Sequence, residues 1–170
     1  DCILNDANGN GIQDGGETGV NGLTVTLLAA DGVTVVKTTT TAGDGNYLFD
    51  DLSPGTYSVQ FSKPAGWSYT QQGQGTAATD SDAVPATGLS APVTLTTGQS
   101  NLTVDAGIWN PVTIGNHAWV DVNGDGIQND GAGSALGGVL VLLVNTATGT
   151  VVATTTTAAD GSYLFTVPPG

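Results

Sequence analysis

Methionine and arginine are absent from this 170-residue chain, and cysteine, histidine and glutamate occur once each. Each scarcity excludes something. A single cysteine, Cys2, forms no internal disulfide, so core packing or a bound metal has to hold the fold. Two lysines set against a net charge of -13 leave no basic surface to track phosphates. That argues against nucleic acid as a partner and disfavours an anionic membrane surface. No apolar run reaches the roughly 18 residues of a membrane helix. The longest, "LGGVLVLLV" at residues 136–144, has the length of a strand. No signal peptide and no initiating methionine are present, so a mature or excerpted piece of a protein is expected. The one histidine, His117, lies in a strand-like segment with no nucleophile near it, which argues against an enzyme.

What remains is a chain rich in threonine, valine and glycine with carboxylates in excess, a balance suited to gathering cations. Self-comparison organises it. "DANGNGIQ" at residues 6–13 returns as "DVNGDGIQ" at 121–128, and "GLTVTLL" at 22–28 returns as "GVLVLLV" at 138–144. "TTTTAGDGNYLF" at 38–49 returns as "TTTTAADGSYLF" at 154–165, and "LSPG" at 52–55 as "VPPG" at 167–170. The expected division is a first repeat over residues 1–110, with its N-terminal strand partly missing, and the first half of a second over 111–170. The joint is Asn110-Pro111, since proline disfavours helix in the residue before it.

The local patterns predict strands. "LTVTLL", "VTVVKTTTT", "NYLF", "TYSVQF", "PVTLTT" and "NLTVDAGIW" alternate roughly every two residues, with turn signals between them. In "TYSVQF", Tyr57, Val59 and Phe61 share one face. No 3.6-residue pattern is sustained. About seven short strands at 8–12-residue spacing indicate an all-β sandwich. Tyr47, Phe49, Tyr57, Phe61, Trp67, Trp109, Trp119, Tyr163 and Phe165 read as packing between sheets, with a ligand platform as the alternative. Cys2 reads as a small buried residue, with an intermolecular bridge as its alternative.

The duplicated segment carries the chemistry. With Asp6 at position 1, Asn8 falls at 3, Asn10 at 5, Gly11 at 6, Ile12 at 7, Asp14 at 9 and Glu17, the sole glutamate, at 12. That is the ligand spacing of a twelve-residue calcium loop. Calcium takes six to eight oxygens, and alternate positions of a tight loop converge on one centre. Position 7 offers its carbonyl, the glycine allows the bend, and the terminal glutamate closes the site with two oxygens. Asp-Asn-Gly clusters also make ordinary turns, but six matched positions ending on the only glutamate favour the metal. Glycine-rich sequence leading to a strand follows, so no EF-hand helices are expected.

In the second copy Asp121, Asn123, Asp125, Gly126, Ile127 and Asn129 hold positions 1, 3, 5, 6, 7 and 9, while position 12 is Ala132. Asp130 or a water would have to supply the missing carboxylate, so weaker binding is expected. Asp80 and Asp82 in "ATDSDA", with Asp105 in "TVDAG", form a further acidic group. They read either as solvated loop carboxylates or as an additional calcium site.

Taken together, "IGNHAWVDVNGDGIQ" at 114–128, "GLTVTLL", "DGNYLFDDLSPGTYSVQF" at 44–61, "TDSDA" at 79–83 and "VDAGIW" at 104–109 resemble the B repeats of serine-aspartate repeat surface adhesins of Gram-positive bacteria. Related domains of the collagen-adhesin B type are similar. The resemblance implies an Ig-like or prealbumin-like Greek-key β-sandwich in tandem repeats, extracellular, binding calcium and acting as a stiff spacer or stalk. It places the metal loop on Asp6, Asn8, Asn10, Asp14 and Glu17, and later acidic positions on Asp80, Asp82 and Asp105. Some relatives carry a Lys–Asn isopeptide cross-link. The second repeat has no lysine, and Lys37 and Lys63 are poorly placed in the first, so calcium is expected as the staple instead. The expected partners are calcium and neighbouring repeats or other copies of the chain. Two alternatives stand beside the spacer: a filament subunit assembled by strand completion, and an adhesin module binding an unknown host or surface ligand through Trp67 and Tyr69.

Overall fold

The computed structural model describes residues 1–169. The side chain of Ala132 and the whole of Gly170, the final letter of the "VPPG" motif, lie outside the described residues. The chain divides into two compact units, Asp1–Pro111 with residues 168–169, and Val112–Val167.

The architecture is an all-β, Ig-like sandwich in tandem repeats. In the first unit the strands are β1 (Ile3–Asn5), β2 (Thr18–Gly19), β3 (Thr24–Ala29), β4 (Val35–Thr40), β5 (Gly55–Phe61), β6 (Ser68–Tyr69), β7 (Val93–Leu95) and β8 (Ala106–Trp109). They form two four-stranded sheets of order β2-β1-β8-β6 and β4-β3-β5-β7. The pairing of β1 with β8 is parallel, and the other pairings are antiparallel.

Period-two alternation sends Val25 and Leu27 of β3 and Val59 and Phe61 of β5 into the space between the sheets. Ile3, Ala106 and Ile108 meet them from the other side. Tyr47 joins this core with its ring edge-on to Phe49 and Phe61, at centroid distances of 5.7 and 5.8 Å. Its hydroxyl donates to the Val104 carbonyl at 2.5 Å, and burial pushes the phenol pKa upward. Tyr57, Trp67 and Phe49 pack against the same cluster. Tyr69 is buried, with its hydroxyl on the Phe61 carbonyl at 2.6 Å. Tyr69 is thus a core residue and Trp67 is half-buried against the same cluster, so the two do not form an exposed loop.

The second unit repeats part of this plan in β9 (Val112–His117), β10 (Leu140–Val144), β11 (Val151–Thr156) and β12 (Ser162–Val167), with a 3-10 turn at Ala132–Ser134. β10 pairs with β11, and β12 with β9, both antiparallel. The β10–β11 hairpin even shifts register where β3–β4 does, at Leu143/Val144 and at Leu27/Leu28. Each hairpin is tied by one buried threonine. Thr41 accepts the Leu23 N–H and donates to the Val20 carbonyl, while Thr157 accepts from Val139 and donates to Leu136. His117 is exposed in β9.

The expected strand "NYLF" at residues 46–49 is not formed in the first unit. Asn46 makes isolated bridges to Cys2 and Ala42, and the following residues have no ladder among the described residues. Its copy in the second unit is a strand because β9 lies alongside it. Sequence pattern was equal in the two places, and the available partner decided the outcome. Among the described residues no helix is long and apolar enough to cross a membrane.

Phe61 is 1% exposed and Leu48 is 60% exposed. Phe61→Ala should cost about 3–5 kcal/mol in denaturant unfolding, whereas Leu48→Ala should stay within about 0.5 kcal/mol. Equal midpoint shifts for the two variants would contradict this assignment of the core.

Candidate functional site

The oxygen-rich loop leaves β1 at Asp6, whose N–H is held by the Ile108 carbonyl at 2.8 Å. The Asp6 carboxylate then organises the turn. Oδ1 accepts the N–H groups of Gly9 at 2.6 Å and Asn10 at 3.2 Å. Oδ2 accepts the Gly11 N–H at 2.8 Å and the Thr70 hydroxyl at 2.5 Å. Asn8 Oδ1 takes the Asn10 N–H and Asn10 Oδ1 the Ile12 N–H, so each alternate side chain folds over the backbone two residues on. The amide groups of Asn8 and Asn10 both donate to Asp14 Oδ2, at 2.9 and 2.8 Å.

Glu17 closes the ring, with Oε1 accepting the Ala7 N–H at 2.8 Å and Oε2 the Asp14 N–H at 3.1 Å. Asp6, Asn8, Asn10, Asp14 and Glu17 therefore belong to one hydrogen-bonded network. Gly11 needs to be glycine twice over. Its φ is 81°, and a Cβ there would lie 2.6 Å from the Gln71 carbonyl oxygen.

The loop of the second repeat has the same wiring. Asp121 Oδ1 accepts from Gly124 and Asp125, and Oδ2 from Gly126. Asn123 Oδ1 accepts the Asp125 N–H, and Asp125 Oδ1 the Ile127 N–H. Here the amides of Asn123 and Asn129 converge on Asp125 Oδ2, both at 3.0 Å. These hydrogen bonds, led by that from the Ile127 N–H, hold the Asp125 carboxyl below its ordinary pKa. Two differences stand out. The Ile127 carbonyl accepts the Asn129 N–H, and Asp121 is exposed where Asp6 is 2% exposed. Asp130 joins none of these hydrogen bonds; it lines a cleft with Trp119 and Ser134, and its Oδ2 is buried without a donor.

Asp80, Asp82 and Asp105 gather beside the first loop. Asp80 forms an isolated bridge with Ile12, and the Gln13 N–H reaches the Thr79 carbonyl at 2.7 Å. Asp82 Oδ2 accepts the Asp105 N–H at 2.9 Å, and Asp105 Oδ1 accepts the Cys2 N–H at 2.6 Å. Burial raises Asp105, and it raises Asp82 to about 6, with Asp80 and Asp105 adding repulsion. A cavity of about 10 Å3, roughly one water in size, is bordered by Asp6, Ile12, Glu17, Asp80 and Asp105.

Among the described residues no three His, Cys, Asp or Glu side chains are grouped closely enough to hold an ion by themselves. A cation here would need amide and backbone oxygens as well, which is the ligand class calcium accepts. The donor set fits such an ion on one further count. Asp80 Oδ1 is buried without a hydrogen-bond donor at the edge of this cavity, and an orphaned buried acceptor calls for a proton, a water or a cation.

Sequence reading missed Thr70, which secures Asp6, and the Cys2 N–H that secures Asp105. Neither lies near its partner in the chain, and neither carries a local signal.

The raised pKa of Asp82 has a definite sign. A carboxyl that binds its proton more tightly folded than unfolded adds stability below its unfolded pKa near 4. That contribution is lost as pH rises through about 6. With chelator present, Asp82→Asn should therefore gain stability relative to the parent between pH 4 and 7. The check is the difference between the two melting profiles, in which Asp31, lowered to about 2 by its hydrogen bonds with Thr34 and Val33 and contributing with the opposite sign below about pH 4, cancels. A constant offset across that range would contradict the assignment.

In comparisons with known proteins, the model of the SdrD B-like domain family matches residues 1–108 and again 112–170. The chain is 40% identical over 169 residues to serine-aspartate repeat-containing protein D of Staphylococcus aureus (strain Newman), covering 98% of this chain and 12% of that protein. It is 37% identical over 166 residues to serine-aspartate repeat-containing protein F of Staphylococcus epidermidis, covering 97% of this chain and 9% of that protein. The chain thus spans 12% or less of the length of these curated relatives.

Proposed function

The chain belongs to the SdrD B-like domain family, and from that premise we propose that it is a calcium-stabilised structural repeat serving as a spacer in a larger extracellular or cell-surface protein. The observation that carries this reading is the duplicated loop. In both repeats the carboxylate at position 1 and the side-chain oxygens at positions 3 and 5 accept backbone N–H groups. Two asparagine amides also donate to one carboxylate oxygen, of Asp14 in the first loop and of Asp125 in the second. A loop that gathers so many oxygens without an accompanying cationic side chain suits a hard cation. Asp6, Asn8, Asn10, Asp14 and Glu17, with the Ile12 carbonyl, would hold it in the first repeat. Asp121, Asn123, Asp125 and Asn129, with the Ile127 carbonyl and Asp130, would do so in the second. Asp80, Asp82 and Asp105 would contribute to an additional site only together with backbone oxygens, since the three carboxylates do not group closely enough to hold an ion alone.

The bound ion would supply positive charge among carboxylates, and the mechanism is linkage. An ion that binds the folded loop alone adds RT ln(1 + [Ca]/Kd), about 2.7 kcal/mol at one hundred times Kd. The spacer reading is supported by the tandem match, whose two spans leave only residues 109–111 between them. A structural role is also consistent with the local chemistry, in which the loop carboxylates accept hydrogen bonds from the loop's own backbone N–H groups and asparagine amides.

Calcium should raise the melting temperature of the first unit, and chelator should reverse the rise. Glu17→Ala should remove most of the calcium-dependent part, and Glu17→Gln should behave like it, since an amide loses the charge and one of the two acceptor oxygens. Identical melting curves with calcium and with chelator would defeat the proposal. Calorimetric titration should further show tighter binding lost in Asp6→Ala than in Asp121→Ala. The reverse order would count against Glu17 as the closing ligand.

A further inference from the structure

Asparagine is followed by glycine at residues 8–9, 10–11, 21–22 and 123–124. At such a step the backbone can attack its own side chain. The glycine nitrogen, unhindered by a Cβ, loses its proton and adds to the asparagine Cγ. A C–N bond closes a five-membered imide, and the side-chain nitrogen leaves as ammonia. Water then adds to either imide carbonyl and breaks one C–N bond, which leaves aspartate or its β-linked isomer.

In the folded chain each of these glycine nitrogens is already engaged. The Gly9 N–H donates to Asp6 Oδ1 at 2.6 Å and the Gly11 N–H to Asp6 Oδ2 at 2.8 Å. The Gly124 N–H donates to Asp121 Oδ1 at 2.7 Å, and the Gly22 N–H to the Thr41 carbonyl at 2.8 Å. In the first loop the side chains under attack are held as well. Asn8 Oδ1 accepts the Asn10 N–H at 3.0 Å and Asn10 Oδ1 the Ile12 N–H at 2.7 Å, while both amides donate to Asp14. A nitrogen bonded to a carboxylate is a poor nucleophile on two counts. The neighbouring negative charge opposes loss of its proton, and turning toward Cγ breaks a charge-assisted hydrogen bond.

The second loop shows how the turn accepts the converted residue. Asp125 stands there in the place of Asn10. Its Oδ1 accepts the Ile127 N–H at 2.8 Å, and the Gly126 N–H remains on Asp121 Oδ2 at 2.8 Å. An aspartate at position 10 therefore suits the turn of the first loop, whereas the β-linked isomer, with an extra methylene in the backbone, does not.

We propose that Asn8 and Asn10 are sites of spontaneous deamidation, kept latent because the buried Asp6 carboxylate holds both glycine nitrogens. Asp121 guards Asn123 in the same way. Water is the only co-reactant. The reaction starts when the loop opens, and an opening event is thereby converted into permanent negative charge beside Asp14 and Glu17. Asn21 is held from outside the loop, by Thr41 on its glycine and by the Gly45 N–H on its Oδ1, and stays protected through such an opening. The inference goes beyond the calcium reading and does not rest on it, since the guarding bonds are made by the chain alone.

In the test, the 170-residue chain is incubated at mildly alkaline pH with chelator, and mass-spectrometric peptide mapping follows Asn8, Asn10, Asn21 and Asn123. The free peptide Asp-Ala-Asn-Gly-Asn-Gly-Ile-Gln sets the unguarded rate. The folded chain should convert Asn8 and Asn10 more slowly than the peptide by about tenfold or more, the scale of a hydrogen bond to a charged group. Asp6→Ala should bring both close to the peptide rate while Asn21 stays slow. Loss of a buried carboxylate can unfold the unit, so Asp121→Ala in the exposed second loop is the second variant. It should accelerate Asn123 and leave Asn21 unchanged. Conversion of Asn8 and Asn10 at the peptide rate in the folded parent would overturn the proposal. So would an Asn123 rate unchanged by Asp121→Ala, or slow conversion in an Asp6→Ala chain with a normal melting curve.

Discussion

The carboxylate of Asp6 is 2% exposed between the loop and the sheets, and the first unit depends on keeping it satisfied. A buried charge is tolerated only when hydrogen bonds replace its hydration. Here three backbone N–H groups and the Thr70 hydroxyl do so. Three of those donors belong to the loop, which makes the tight turn the solvation shell of the carboxylate. The fourth comes from residue 70, in the segment after β6, which joins the loop to the sheet containing β1 and β8. Gly107 of β8 has to be glycine for the same reason, because a Cβ there would lie 2.5 Å from Thr70 Cγ2. Loop, strand and sheet edge are thus held by one ion's need for partners.

The acidic excess of the chain is partly turned inward rather than spread over the surface. Asp105 is 7% exposed, shares hydrogen bonds with Asp82 and Cys2, and lies close enough to Asp80 to feel its charge. Burial together with Asp105 pushes the Cys2 thiol up to about 12. It is therefore neutral and unreactive near pH 7, which fits a core residue rather than a cross-linking one. Carboxylates drawn together in this way repel one another, and the repulsion is relieved by a proton or by a cation. The raised Asp82 pKa is the proton side of that balance. An ion at the same place would be the other side, which is why a calcium reading and an acid-stabilised apo form are compatible.

Much of this was legible in the sequence where the physics is local. The loop positions could be read because every side-chain hydrogen bond but one at Asp6, and those of Asn8 and Asn10, reach no further than six residues along the chain. β3, β4 and β5 could be read because six or seven alternating residues suffice for a pattern. What escaped depends on distant partners. Thr70 lies 64 residues from Asp6, and Cys2 lies 103 from Asp105. β2 and β6 are two residues long, too short to alternate, and exist because β1 and β8 are beside them. The threonine runs concealed their most consequential members. Thr41 and Thr157 look like the end of a β-prone stretch, yet each is a buried hydrogen-bonding tie.

The two loops also separate charge from preorganisation, which the position-12 substitution alone would confound. In the first loop Glu17 already spans Ala7 and Asp14 through two N–H bonds, so the ends of the loop are fixed. Ordering them costs nothing further when a ligand arrives, and binding free energy rises by what preorganisation saves. In the second loop the inner half is wired identically around Asp121, so its local turn does not need the glutamate to form. What it lacks is the clasp between first and last positions, together with the burial that Thr70 and the Ile108 carbonyl provide to Asp6. If calcium is the ligand, it must also displace the asparagine amides that now donate to Asp14 or Asp125, a cost common to both loops. The difference between the repeats is then set by clasp and burial. An exposed loop with an intact turn is the form expected of a weaker site that fills after the first, not of one that has been lost.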